Sequence, residues 1–202
     1  MTTENEYWKK EFEGQEQDFV KDLTQLLHGS TSYTRCSGAE GLAAHLVHYA
    51  IYGWVASSNP QRSQFSEAWP KAITAFGQVL KNDSDPSVRK CVVKSLGDMC
   101  SRIDYEVRSI SNAEALQARI LKRGAFRDAF VLVRDALRND RDEIVRDQAV
   151  WSLRDCLTKD ERLDSANSQR KELIETLEHA EAYDKSSNVR YQATSVLNSF
   201  GR

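Results

Sequence analysis

The chain of 202 residues carries 28 Lys and Arg against 30 Asp and Glu, giving a formal charge of −2 and a pI near 6.1. That near-balance excludes a protein built chiefly to neutralise phosphates, and the length suits one domain with a sizeable core. Three prolines and nine glycines leave long stretches rich in good helix formers, so the expected class is all-α with no sheet.

Residues 4–27 set Trp8, Phe12, Phe19, Leu23 and Leu26 or Leu27 on one stripe with acids elsewhere, the pattern of an amphipathic end helix. No basic segment leads into an apolar run here, so no secretory leader is expected. Residues 28–38, rich in Gly, Ser and Thr, predict a loop. Residues 39–56 are apolar almost all round and predict a helix covered on several sides. Their apolar run, 42–56, falls short of the ~20 residues that span a bilayer, so no membrane partner is expected. Residues 57–63, with Asn59-Pro60, end the helix.

A stripe of Trp69, Ile73, Phe76 and Leu80 predicts the next helix over 66–80. Residues 82–86 then supply a turn, an N-cap and a first-turn proline for a helix over 86–103. A short helix over 113–122 and a longer one over 126–137 follow, and residues 139–142 repeat the turn chemistry before a helix over 143–157. The last pair is 169–183 and 189–200.

Three of these helices open alike, on Asp85-Pro-Ser-Val88-Arg89, Asp142-Glu-Ile-Val145-Arg146 and Ser186-Ser-Asn-Val189-Arg190. Val92, Ala149 and Ala193 fall four after the valine; Ser95-Leu96, Ser152-Leu153 and Val196-Leu197 fall seven and eight after it, so one helical face is preserved. The Val-Arg pairs are 57 and then 44 residues apart, which predicts one added helix in the first interval, at 113–122. Asp104-Tyr-Glu-Val107-Arg108 copies the opening but puts Ser111, Glu114 and Ala115 where apolar residues belong, so no new unit is expected there. The final helix keeps a narrower apolar stripe, which suits a closing element at residue 202.

These units resemble the HEAT repeat, whose second helix reads D-x-x-V-R-x-x-A-x-x-A-L. The resemblance covers residues 66–200 and is absent before them. It implies a right-handed α-solenoid of about eight or nine stacked helices in one domain over 1–202, with 1–65 as divergent N-terminal helices and 66–202 as recognisable repeats. It further implies that the acid and arginine form a ladder between units, making Asp85, Arg89, Asp142, Arg146 and Arg190 structural. Ser186, standing where the third acid belongs, puts that rung in doubt. By the same resemblance, the second helices line a concave face that grips another protein.

If Val, Ala and Leu point inward, positions two, six, nine and ten after the valine point outward. These are Lys90, Lys94, Gly97 and Asp98; then Asp147, Trp151, Arg154 and Asp155; then Tyr191, Ser195, Asn198 and Ser199. Trp151 has two readings. One is an interface anchor beside Tyr191, with Lys90, Lys94, Asp147, Arg154 and Asp155 as polar rim; the other is a ring packed under a neighbouring element. The alternative function is a nucleic-acid reader or an alkylpurine DNA glycosylase of HEAT-like build, using Trp151 and Asp155.

The first 30 residues hold seven acids and three bases, 31–139 hold ten and fifteen, and 140–202 hold thirteen and ten, so any basic patch lies in the middle. Arg119, Lys122, Arg123, Arg127, Arg134 and Arg138 form it; interleaved Asp128 and Asp135 favour a solvated face over a phosphate-binding stripe. His45 and His48 lack a second ligand pair and are expected to pack among aromatics instead of holding a metal. Cys36, Cys91, Cys100 and Cys156 show no C-x-x-C pairing, which fits a reducing compartment, cytoplasmic or nuclear. No P-loop, dinucleotide fingerprint or G-x-S-x-G is present, so no catalytic residue and no cofactor is assigned.

Overall fold

The computed structural model describes residues 4–55, 61–107, 115–157 and 168–201. Among these there are eight helices and no strand: α1 (Glu4–His28), α2 (Ser32–Val55), α3 (Gln61–Asn82), α4 (Pro86–Val107), α5 (Ala115–Asn139), α6 (Glu143–Asp155), α7 (Ser168–Tyr183) and α8 (Ser187–Asn198). Each odd helix packs on the even one after it, giving four hairpins. Even helices also pack in series, α2 on α4 on α6 on α8, and odd ones likewise, α1 on α3 on α5 on α7. This two-layer order of contacts fits a helical solenoid.

One continuous core runs through the stack. Phe76 from α3, with Phe126 and Phe130 from α5, are its largest fully buried side chains. Val88, Val92 and Leu96 of α4, Val145, Ala149 and Leu153 of α6, and Val189, Ala193, Val196 and Leu197 of α8 are buried with them, so the repeated face points inward in all three units. Burying each Leu, Val or Phe of this set contributes about 1.5–3 kcal/mol.

Four expectations need correction. The helix α2 begins at Ser32, so the loop predicted over 28–38 shrinks to a few residues. Thr31 accepts the Thr34 amide at 3.1 Å, so the Ser/Thr content marks a helix cap. Gly38 and Gly41 lie inside α2 as contact points: a Cβ at Gly38 would sit 2.4 Å from the Leu26 amide nitrogen, and one at Gly41 would strike the Asp22 carboxylate. These glycines let α1 and α2 meet closely.

The second correction concerns the helices predicted over 113–122 and 126–137: from Ala115 onward a single helix, α5, replaces the two. Gly124 sits within it with open space around its missing Cβ. The longer first interval is therefore housed in longer helices, α4 with 22 residues and α5 with 25, against 13 and 16 for α6 and α7. In keeping with the false opening at 104, α4 continues to Val107. Thirdly, α3 starts at Gln61, before the predicted 66, and carries Pro70 inside it; the expected break at 57–63 otherwise lies outside the described residues. Lastly, Gly97 is buried because α6 approaches so closely that a Cβ would sit 2.8 Å from Ser152 Cβ.

Candidate functional site

Two rows of polar residues run across the even helices, one at the turns and one on the outer face. At the turns, Arg89 sends Nε to Asp140 Oδ2 at 2.7 Å and Nη2 to Oδ1 at 2.8 Å, while Nη1 reaches back to the Asp83 carbonyl at 2.8 Å. Arg146 repeats this with Asp184, at 2.8 and 3.0 Å, and with the Asp140 carbonyl at 2.9 Å. Arg35, from α2, does the same with Asp83, at 2.7 and 3.2 Å, and the Gly29 carbonyl at 3.0 Å. Two parallel N–H···O bonds to a carboxylate are the strongest form of this pairing.

The rung acids are thus Asp83, Asp140 and Asp184, five residues before each valine, and the assignment to Asp85 and Asp142 is overturned. Each rung acid also accepts the amide two residues on, from Asp85, Asp142 and Ser186, at 2.8–2.9 Å, which closes a turn around it. Asp85 and Asp142 cap their helices instead, accepting Ser87 and Ile144 amides at 2.8 and 3.2 Å. Ser186 therefore costs no rung. The missed sign was in the sequence: the acid at minus five recurs in all three units, that at minus three in only two. The ladder also enters the region thought divergent, since Arg35 holds the register of Arg89, Arg146 and Arg190.

Two of these pairs are nearly dry, with side-chain exposures of 3% and 6% for Arg89–Asp140 and 4% and 8% for Arg146–Asp184, while Arg35, at 19%, is more open. Burial pushes the Asp140 and Asp184 carboxyls up, but the bonds from Arg89 and Arg146, the turn amides and the guanidinium charges outweigh it, and both titrate below the ordinary 3.8. The hydrogen bond to the carboxylate raises Arg89 and Arg146 in turn.

On the outer face, Lys90 and Lys94 are exposed, and Lys94 pairs with Asp98 at 3.1 Å one turn on. Asp147 is half-buried between units: Asn188 of α8 donates to it at 2.9 Å, and burial, tempered by the Lys90 charge, lifts its carboxyl above 3.8. Trp151 is 37% exposed, with the Arg154 guanidinium 6.0 Å from its ring centroid, at the outer limit of a cation–π contact. Arg154 also faces Asp155 at 3.6 Å, so that carboxylate has a cation beside it. Tyr191 is 71% exposed, and Ser195, Asn198 and Ser199 are exposed too. Except for Gly97, the positions counted as outward are at least partly open.

Of the middle basic stripe, Arg134 and Arg138 are engaged while Arg127 is exposed. Arg134 donates to Asp135 at 2.8 Å and to Glu172 of α7, and Arg138 donates to Thr176 at 2.8 Å. Asp128 accepts the Trp69 indole at 2.9 Å, joining α3 to α5. Arg119, Lys122 and Arg123 have side chains outside the described residues. His45 lies 3.2 Å from Asp22 and 6.1 Å from the Tyr49 ring, and His48 meets Tyr49 edge-on at 6.2 Å. Among the described residues no group of three metal ligands converges, and no helix is long and apolar enough to cross a membrane.

A chain of four packed hairpins, tied at the turns by arginine–aspartate pairs, defines a helical-repeat protein. The HEAT repeat family matches residues 72–103, which is the second hairpin from the middle of α3 to near the end of α4, consistent with a HEAT-repeat family. No curated protein matches the chain. HEAT repeats are typically protein-interaction scaffolds and are generally non-catalytic.

Proposed function

We propose that this protein is a non-catalytic scaffold or adaptor that binds another protein across the exposed face of α4, α6 and α8, the face that is concave in a HEAT-like stack. The observation that carries this reading is the pair of aromatics, Trp151 and Tyr191, open on two helices packed side by side, with Arg154 near the Trp151 ring and Lys90, Lys94, Asp147 and Asp155 at outward positions of the same helix row. Aromatic rings bordered by charged side chains make up the centre and rim of many interfaces, and a preformed helical face loses little freedom on binding. The proposed location is the cytoplasm, since the four cysteines show no C-x-x-C pairing and Cys91, Cys100 and Cys156 fall in helical patterns where a small thiol packs well.

Affinity capture with the wild-type chain and with Trp151→Ala, read by mass spectrometry and followed by direct titration of the retained protein, tests this. Truncating an anchor is expected to weaken binding by about 2 kcal/mol, roughly thirtyfold, with the melting temperature little changed. Equal binding by both chains, or steeply salt-dependent retention of DNA or RNA instead of protein, would overturn the reading.

A further inference from the structure

We propose that Arg190 is the waiting half of a fourth rung, filled by an aspartate that a partner protein carries in a turn. Arg190 occupies the register of Arg35, Arg89 and Arg146, and its Nη1 makes the same bond, to the Asp184 carbonyl six residues back, at 2.7 Å. Its amide meets the Ser186 carbonyl at 3.1 Å, as those of Arg89 and Arg146 meet Asp85 and Asp142 at 3.3 Å. In each of the other three, Nε and Nη2 bond a carboxylate of the following hairpin. Among the described residues no carboxylate takes these two bonds from half-buried Arg190. The guanidinium is fixed along one edge and open along the other.

The three filled rungs specify the chemistry of the occupant. Each supplies an aspartate whose carboxylate also accepts the amide two residues later, in the sequences Asp83-Ser-Asp85, Asp140-Arg-Asp142 and Asp184-Lys-Ser186. A partner presenting Asp-x-Asp or Asp-x-Ser in a turn completes the same two-bond geometry. A second copy joined head to tail does not, because the first hairpin has Gly29 where the rung acid belongs. Arg190 belongs to the turn row, although its chain neighbour Tyr191 lies on the outer face, so the inference adds a contact of different chemistry that is read out at a side chain other than Trp151.

The probe is a blocked peptide with the sequence of residues 82–88, Asn-Asp-Ser-Asp-Pro-Ser-Val, titrated into the labelled full chain while arginine Nε–Hε signals are followed by NMR. The Arg190 signal should shift and saturate. A peptide with asparagine in place of its first aspartate should bind at least about tenfold more weakly, and Arg190→Lys, which keeps the charge but loses the planar pair of donors, should weaken the original peptide similarly. Unmoved Arg89 and Arg146 signals in that variant would verify that the ladder is intact. The proposal is overturned if Arg190 does not respond, if both peptides act equally, if only Arg89 or Arg146 responds, or if the Arg190 signal shifts with chain concentration alone as dimers form.

Discussion

The turn edge and the outer face of the even helices are built from the same repeat, yet they differ in what the repeat preserves. At the turns, arginine and aspartate recur unit after unit, because each must meet the same neighbour in the same dry pocket. On the outer face, one register position holds Lys90, Asp147 and Tyr191, and another holds Lys94, Trp151 and Ser195. Neighbours there differ from unit to unit, as where Asn188 meets Asp147, and no one residue type recurs. Recurrence thus marks the parts that hold the stack together, and variation marks the surface free to be shaped by something outside it.

The sharpest way to break this contrast is Arg146→Ala, which strands the buried Asp184 carboxylate. A loss of about 3–5 kcal/mol in denaturant-unfolding stability is expected, against little change for Trp151→Ala. If Arg146→Ala were as mild as a surface substitution, the turn edge would not be the structural row. The same ladder predicts an acid limb. Asp140 and Asp184 titrate below their unfolded value in the folded chain, so the stability they lend is fully present above about pH 4 and is lost as pH falls through the lowered folded values. Stability measured from pH 5 downward should fall more steeply in wild type than in Asp184→Asn.

Two glycine substitutions sharpen the comparison at smaller scale. Gly38→Ala drives a Cβ against the Leu26 backbone and should cost about 1–3 kcal/mol as α1 is pushed off α2. Gly124→Ala meets nothing and removes backbone freedom from the unfolded chain, so thermal melting should show a gain of up to about 1 kcal/mol. Equal effects at the two sites would mean that the close contact at Gly38 does not matter.

Much of this was legible in the chain. The periodic stripes of α3, α4, α6 and α8 located their helices, because a side chain that must be buried every third or fourth residue leaves its mark whatever the neighbour is. Glycine was harder: Gly38, Gly41 and Gly124 look alike as helix-weakening residues, but two are points where another helix presses in and one faces open space. The outer-face residues were found by counting positions around the helix, and the count failed at Gly97, where α6 covers the side opposite Val88.

What the sequence determined alone was the all-helical class, the repeat and the inward face, since helix propensity and periodicity act between residues close in the chain. In the first two units the recurrence at minus five hinted which of two acids, two residues apart, closes the rung, and the tertiary structure decided it. Asp83 and Asp85 are chemically the same; what distinguishes them is the reach of Arg35, 48 residues earlier in the chain and brought alongside only when the hairpins stack. It likewise revealed that Arg35 belongs to the ladder and that Arg190 has one edge still open, because a rung joins two units and no single unit contains it.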